Sequence, residues 1–538
     1  MSASALAVNV NIYTLIDVLK DYFDETPISW NDIDKSYVSQ MIFNKTTNYE
    51  PVNITGCTSP MDINRQLTRM ISYKNRIFDM SVNGCTVNDD TLMLLSEFPL
   101  TTLNIGSTGL GSASTEYLRG LHTLTALDIS HNNIHDDGMR ALSVLYNLTT
   151  LNISHNRIRD GLPSLDAPID GDVYVVEVES DSEEEEVVLE VESDSEEEEV
   201  MEVESDSEVI LSSLTTLDIS SNILSRAGVL YVCKLFNLTT LNISFNQPFH
   251  DIGLLALSGL TKLTNLNMSS NQIYTTDPSH ALSLPDLTTL MLSNNLMGNS
   301  VFGLQALSGL TKVTTLDISS NKLDPHTVLS ISEFTNLISL DISDNEIGPV
   351  GAHAVNELIQ LTVLNMSRNG IGDDGAFAVS ALTNLTSLNI SRNGIGDDGA
   401  FHVSPLTSLT SLNISHNNIG PVGAHRLRGL TKLTILNMAR NEISSVGVHA
   451  LHRLTKLTVL NISHNKISSA GVHAALHRLT KLTVFNISHN KIRLGGALAL
   501  SRLGLTNLTS LNISNNRIHP HFAHVLSGRF TNLTNFIS

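Results

Sequence analysis

Six side chains recur at one place in a repeating sequence: Arg368, Arg392, His416, Arg440, His464 and His489. They lie 24 or 25 residues apart, and each is a cation or becomes one by taking a proton. Cations stacked this closely repel one another unless something anionic lies over them. The chemistry open to them is holding an acidic protein or peptide, and the alternative is an ordinary solvated stripe. A second series, His353, His425, His449 and His473, has no carboxylate or thiol pattern beside it to complete a metal site. No nucleophile–base set, phosphate loop or recurring carboxylate pair stands outside the repeat, so neither catalysis nor a cofactor is expected.

A different chemistry is written into residues 166–208, which hold 21 acids and no Lys or Arg. Ser180, Ser182, Ser193, Ser195, Ser205 and Ser207 each precede acidic residues, the context that acidophilic kinases of the casein-kinase-2 class prefer. A phosphate at each would add nearly two more negative charges. Short β-prone patches precede the acids, the first being Val173, Val175 and Val176 around Tyr174. They resemble SUMO-interacting motifs, which add a strand to a partner's sheet edge while the acids meet its basic rim. A basic protein is the other partner such a segment would suit. Dense like charge with little apolar mass predicts disorder for 163–211.

The elements that must position these residues follow from the period. From Leu361, Leu385, Leu409, Leu433 and Leu457 the same pattern returns every 24 residues. Counting that Leu as position 0, apolar residues fall at 0, 3, 5 and 10, and an Asn falls at 8. Seventeen full units run from Ile77 to the C-terminal region, interrupted between Ile158 and Leu211, with a truncated copy from Leu533. Alternation over positions 0 to 8 predicts a short strand. The second half, as in Asp373-Asp374-Gly375-Ala376, predicts a helix with acids at its positive end. Asn156, Asn393, Asn417 and their equivalents are expected to bond buried loop backbone and to be structural. Asn or Asp at position 4 and Ser at position 6 predict a uniform polar ladder on the exposed sheet face.

The pattern LxxLxIxxNxI resembles the leucine-rich repeat, and Ile371-Gly372-Asp373-Asp374-Gly375-Ala376 resembles its GALA-type subclass. The resemblance implies an α/β solenoid, a horseshoe with a parallel concave sheet and convex helices. It also implies a binding scaffold more than any one function.

The domain reading is 1–76 as a helical cap, 77–162 as repeats, 163–211 as the acidic insertion and 212–538 as repeats. Residues 12–23 and 31–43 have helical apolar spacing, and a third helix is expected over Met61–Tyr73. Leu15, Ile16, Val18 and Leu19, with Tyr37-Val38-Ser39, resemble an F-box, the adaptor module of ubiquitin ligases, although the usual Leu-Pro opening is missing. A plain end cap is the other reading.

The whole chain carries a formal charge of −22, but without residues 166–208 there are 33 acids against 32 bases. That balance argues against a nucleic-acid footprint. Cys57, Cys85 and Cys233 are too few and too widely spaced for a disulfide framework. The N-terminus lacks the charge and apolar run of a signal peptide, and no stretch is long and apolar enough to span a membrane. Asn-Ile-Ser triplets at Asn152, Asn242, Asn389, Asn413, Asn461, Asn486 and Asn512 would be glycan acceptors on a packed sheet in a secretory compartment. The cytosol or nucleus is therefore expected. The resulting expectation is a monomeric, non-enzymatic scaffold for proteins. An F-box-like adaptor, a regulator of a small GTPase or nuclease, and a chaperone of basic proteins are the alternatives.

Overall fold

The computed structural model describes residues 51–160 and 211–538, apart from 250, 276–280, 520, 523–525 and 527. Among the described residues nineteen strands form one sheet, each pairing in parallel with the next described strand in the chain. Most are three residues long and cover positions 2 to 4, as in Ser387–Asn389 and Ser411–Asn413. The register repeats from unit to unit: Ser387 opposes Ser411, and Asn389 opposes Asn413. Parallel pairing requires a return path for every strand. Here the second half of each unit supplies it and covers the opposite side of a single core. Leu385, Leu388, Ile390 and Ile395 are buried in that core together with their counterparts along the chain. The protein is a leucine-rich-repeat solenoid with strands on one side and helical turns on the other.

The helical side is less regular than the sequence pattern predicts. An α-helix follows the strand where position 14 is Gly, as in Gly372–Val379, Asp397–Val403 and Pro421–Arg426. A Cβ on Gly399 would lie 2.4 Å from Asp373 Oδ1 and 2.6 Å from Ile395 Cγ2, so only Gly lets adjacent turns approach this closely. Where Ser114, Val301 or Thr327 takes that place, the segment winds as 3-10 turns instead, as in Ser112–Gly120 and Thr327–Glu333. Thr91 is an exception, as is the longer unit from Leu238, whose Gly253 comes one residue later and whose helix is Asp251–Leu257. The Thr91 unit keeps an α-helix, Asp89–Leu95, closed by a reciprocal hydrogen-bonded cap between Asn88 and Thr91.

Among the described residues the array is already under way one turn before Ile77. Val52 and Asn53 pair with Met80 and Ser81, and the helix Pro60–Met70, capped by Ser59, buries Ile63 and Leu67. Residues 51–76 therefore stack on the first repeat as a turn that shares its sheet. Cys85, which stands where later units have Asn, makes the same kind of link: its Sγ reaches the Ile54 carbonyl at 3.5 Å. The sheet also runs across the acidic interruption without a break. Thr150, Leu151 and Asn152 pair with Thr216, Leu217 and Asp218, as any two consecutive units do. The F-box-like stretch, Val173, Val175 and Val176, and Ser180, Ser182, Ser193, Ser195, Ser205 and Ser207 lie outside the described residues.

Candidate interaction surface

The turn that ends each strand is set by two positions. At position 8, Asn417 Nδ2 donates to the carbonyls of Ile390 at 3.0 Å and Ile414 at 3.1 Å. Its Oδ1 accepts from the amides of Asn393 at 2.9 Å and Ile395 at 3.0 Å. The side chain thus saturates backbone groups of its own unit and of the one before, inside the protein, where water cannot do so. Asn345 makes the same set of links, and Asn156, Asn222 and Asn465 make the two bonds to the preceding unit's carbonyl and to the amide two residues after its Asn. These asparagines are structural, as expected.

Position 7 carries a feature that the sequence did not announce. Every residue there adopts the left-handed backbone conformation, with φ between 52° and 59° for the non-glycine examples. They include Ser107, His131, Phe245, Asp344 and Arg368, and Gly84 opens the series. The conformation swings the chain out of the strand and aims its amide at the next unit: Arg368 N donates to the Ser391 carbonyl at 2.9 Å. Side-chain type plays no part in that bond, which is why the column tolerates Ser, Phe, Asp, His and Arg.

That backbone sets Arg368, Arg392, His416, Arg440, His464 and His489 side by side, one per unit, along the edge of the sheet. All are exposed or half-exposed. Arg368 pairs with Asp344 at 3.2 Å at the start of the column. Beyond it no acid enters. Arg392 Nη2 lies 3.1 Å from His416 Nε2, and the rings of His464 and His489 stack with centroids 3.8 Å apart. Burial, and then the charge of Arg392, holds His416 below the usual histidine range. Burial and His489 do the same for His464. Packed cations favour the neutral imidazole here. A similar stack of His131 on His155, with centroids 4.0 Å apart, occupies the same position far upstream.

The column belongs to a larger basic region. From Gly399 to Ser538 the chain holds 14 Lys and Arg against a single acid, Glu442, and 12 of its 20 histidines. Among the described residues, Lys466 with Glu442 at 3.1 Å is the only ion pair in this stretch. Lys432, Lys456 and Lys481 line the approach to successive strands, and Arg428, Arg453 and Arg478 follow the preceding helical turns; all six are exposed. The near-neutral body read from the sequence is therefore a sum of unlike parts. Counting charge unit by unit, not over the whole chain, would have found this.

The sheet face is only partly the polar ladder expected. At position 4, Asn389 and Asn413 accept from the Ser391 and Ser415 amides at 3.2 Å, and Asn365 Nδ2 reaches Asp341 Oδ2 at 2.8 Å. At position 2, however, Ile435, Val459 and Val484 stand in register on three consecutive strands. Ile435 is 43% and Val484 38% exposed. An open aliphatic stripe thus runs beside Arg440, His464 and His489.

On the helical side, His353, His425 and His449 occupy one column, interrupted by Phe377 and Phe401; the side chain of His473 lies outside the described residues. Phe401 and Phe377 are half-exposed, and Arg426 sits over the Phe401 ring at 5.1 Å. Among the described residues no group of three or more His, Cys, Asp or Glu side chains converges as a metal site. The three cysteines are free and buried. Burial pushes the Cys233 thiol up to about 12.

Comparison with known proteins agrees with this architecture. A model of the leucine rich repeat matches residues 99–158, 236–297, 261–323, 383–443, 407–467 and 432–492. A second leucine rich repeat model matches 335–355, 360–380 and 504–520. The chain is a leucine-rich-repeat protein. Its fold is similar to the ectodomain of the Arabidopsis thaliana receptor kinase GASSHO1/SCHENGEN3, solved in complex with CASPARIAN STRIP INTEGRITY FACTOR 2. That likeness has 17% identity and a TM-score of 0.50, and covers 97% of this chain and 64% of that one. TLR13, solved with ssRNA13, is similar at 18% identity and a TM-score of 0.50, covering 86% of this chain and 62% of that one. An internalin, inlF of Listeria monocytogenes, matches at 25% identity over 61% of this chain and 81% of its own, with a TM-score of 0.43. No curated protein matches the chain.

Proposed function

We propose that this chain is a non-enzymatic protein-interaction scaffold that holds an acidic, aliphatic-bearing segment of a partner on the sheet face of its C-terminal third. The observation that carries this reading is the column from Arg392 to His489, which no acidic side chain of the described residues neutralises. Ile435, Val459 and Val484 beside it would give such a segment an apolar footing, and the cations would set its orientation and its rate of encounter. Polar ladders that bond only among themselves recruit nothing, so specificity falls to these two columns.

The cytosol or nucleus is the compartment this reading favours. Asn389 and Asn413 sit half-buried in adjacent strands, where a glycan on either amide nitrogen would crowd the neighbouring turns. The GALA-type subclass, an adaptor role for residues 1–50 and a SUMO-type contact at Val173, Val175 and Val176 are proposals that rest on sequence pattern alone.

The test is a titration of the full chain with a short glutamate-rich peptide containing valine. The expected result is salt-sensitive binding that weakens about 10-fold or more when Arg392 and Arg440 are both changed to Glu. Binding indifferent to salt and to both substitutions would overturn the reading. Tighter binding of an RNA or DNA probe of equal charge would replace the protein partner with nucleic acid.

A further inference from the structure

We infer that the basic C-terminal end docks the acidic segment 166–208 of the same chain, so that an outside acidic partner has to displace it. The inference rests on reading that end as an anion-binding surface, and goes beyond it by naming the resident anion. Charge complementarity is the argument. One stretch holds 21 acids without a base, and the other holds 14 bases with one acid. Within the basic stretch the cations do not face one side alone. Arg440, His464 and His489 line the sheet edge, Lys466 and Lys491 stand two residues further on, and Lys432, Lys456 and Lys481 lie before the strands. A girdle of cations in which, among the described residues, only Lys466 is paired with an acid suits a long polyanion better than a small ligand. The acidic stretch is part of the same chain, so an acidic polypeptide is always at hand, whereas single-stranded nucleic acid would have to be recruited from solution.

The chain geometry permits the contact. The acidic stretch is joined to the described array at Asp160 and Leu211, on two adjacent turns. Ile435–Asn437 is the ninth strand beyond Thr216–Asp218, which at about 4.8 Å per strand is roughly 45 Å. Half of the excursion, about 25 residues, reaches up to roughly 80 Å when extended. A covalent tether of that length makes the local concentration of the acids high compared with any free competitor. Phosphate on Ser193 or Ser195 would add charge to the same contact.

Zero-length carbodiimide crosslinking of the full chain, read by mass spectrometry, tests it. Links from the acids of 166–208 should fall on Lys432, Lys456, Lys481 or Lys491, persist on dilution and disappear in high salt. Lys234, Lys262 and Lys312 lie nearer to the acidic stretch along the array; links confined to them would show proximity without docking and overturn the inference. Mixing isotopically labelled and unlabelled chains separates the sources, because links found only between copies overturn the assignment to the same chain. A variant lacking 166–208 should bind the glutamate-rich peptide about 10-fold more tightly, since the competitor is gone. Unchanged peptide binding would sink the inference yet leave the proposed function standing, whereas no binding by either protein would remove both.

Discussion

Asn417 holds the turn of Asn393 from one unit away: the Asn393 amide donates to Asn417 Oδ1 at 2.9 Å, and Asn417 Nδ2 donates to the Ile390 carbonyl at 3.0 Å. Asn417→Ala would leave two amides and two carbonyls short of a partner. A loss of about 1–3 kcal/mol in unfolding free energy is expected. Asn413→Ala, which removes a half-exposed acceptor for the Ser415 amide, should cost well under half as much. Denaturant melts of the two variants side by side decide this; equal losses would show that the ladder at position 8 has no special role.

The left-handed column makes a prediction that inverts the usual ranking of side chains. Ser320 has φ of 54° and an amide bonded to the Ser343 carbonyl at 2.9 Å. Ser320→Gly should be neutral to within about 0.5 kcal/mol, whereas Ser320→Ile should destabilise by about 1–2 kcal/mol, because a branched Cβ meets the following carbonyl. Thermal midpoints of the three proteins would test it, and an isoleucine variant as stable as the parent would refute it.

Two adjacent aspartates should behave differently. Asp373 Oδ1 accepts from Gly396 at 2.6 Å and Gly399 at 2.9 Å, and so caps the helix of the following unit. Asp397 does the same for Gly420 and Gly423, each at 2.7 Å. Asp374 is exposed and makes no such bond. Asp373→Ala is expected to cost about 1–2 kcal/mol and Asp374→Ala no more than about 0.5. Chemical denaturation separates them.

Acid should loosen the basic end. His416 and His464 take up protons less readily in the folded chain than an ordinary histidine, because they are partly buried beside cations. The unfolded chain therefore binds more protons once pH falls to about 6.5 and below. Stability is complete above that value and declines as pH drops from there toward the lower folded values. His416→Asn together with His464→Asn should flatten this decline between about pH 7.5 and 5. A urea midpoint that depends on pH as strongly in the double variant as in the parent would refute the assignment.

The fold could be read from the residues because burial repeats with the chain. A Leu at 0, 3 and 24 residues on, with Asn at 8, admits few structures other than stacked turns, and Leu385, Leu388 and Asn393 lie where that pattern puts them. What escaped depends on neighbouring units. Asp373 read as a residue for its own helix, yet it caps the helix that starts at Asp397, a partner visible only once the register is known. Arg392 gave no hint of its left-handed backbone, because the inter-unit bond is made by the main chain and places no demand on residue type. Ile435, Val459 and Val484 were visible as apolar letters, but their alignment into a stripe needs the strand pairing. The basic end was open to simple counting and was hidden by adding it to acids elsewhere.

The seam at which Thr150 meets Thr216 has a practical consequence. Its two sides are knit like any other pair of rungs, with Thr215 N on the Thr149 carbonyl at 2.9 Å and Ile158 N on Asn222 Oδ1 at 3.0 Å. The strand pairing and the turn bonds on the two sides of the joint are complete among the described residues. The joint is a natural graft point, where a fluorescent reporter or a foreign domain could be inserted among residues 166–208 while the strands on either side stay hydrogen-bonded.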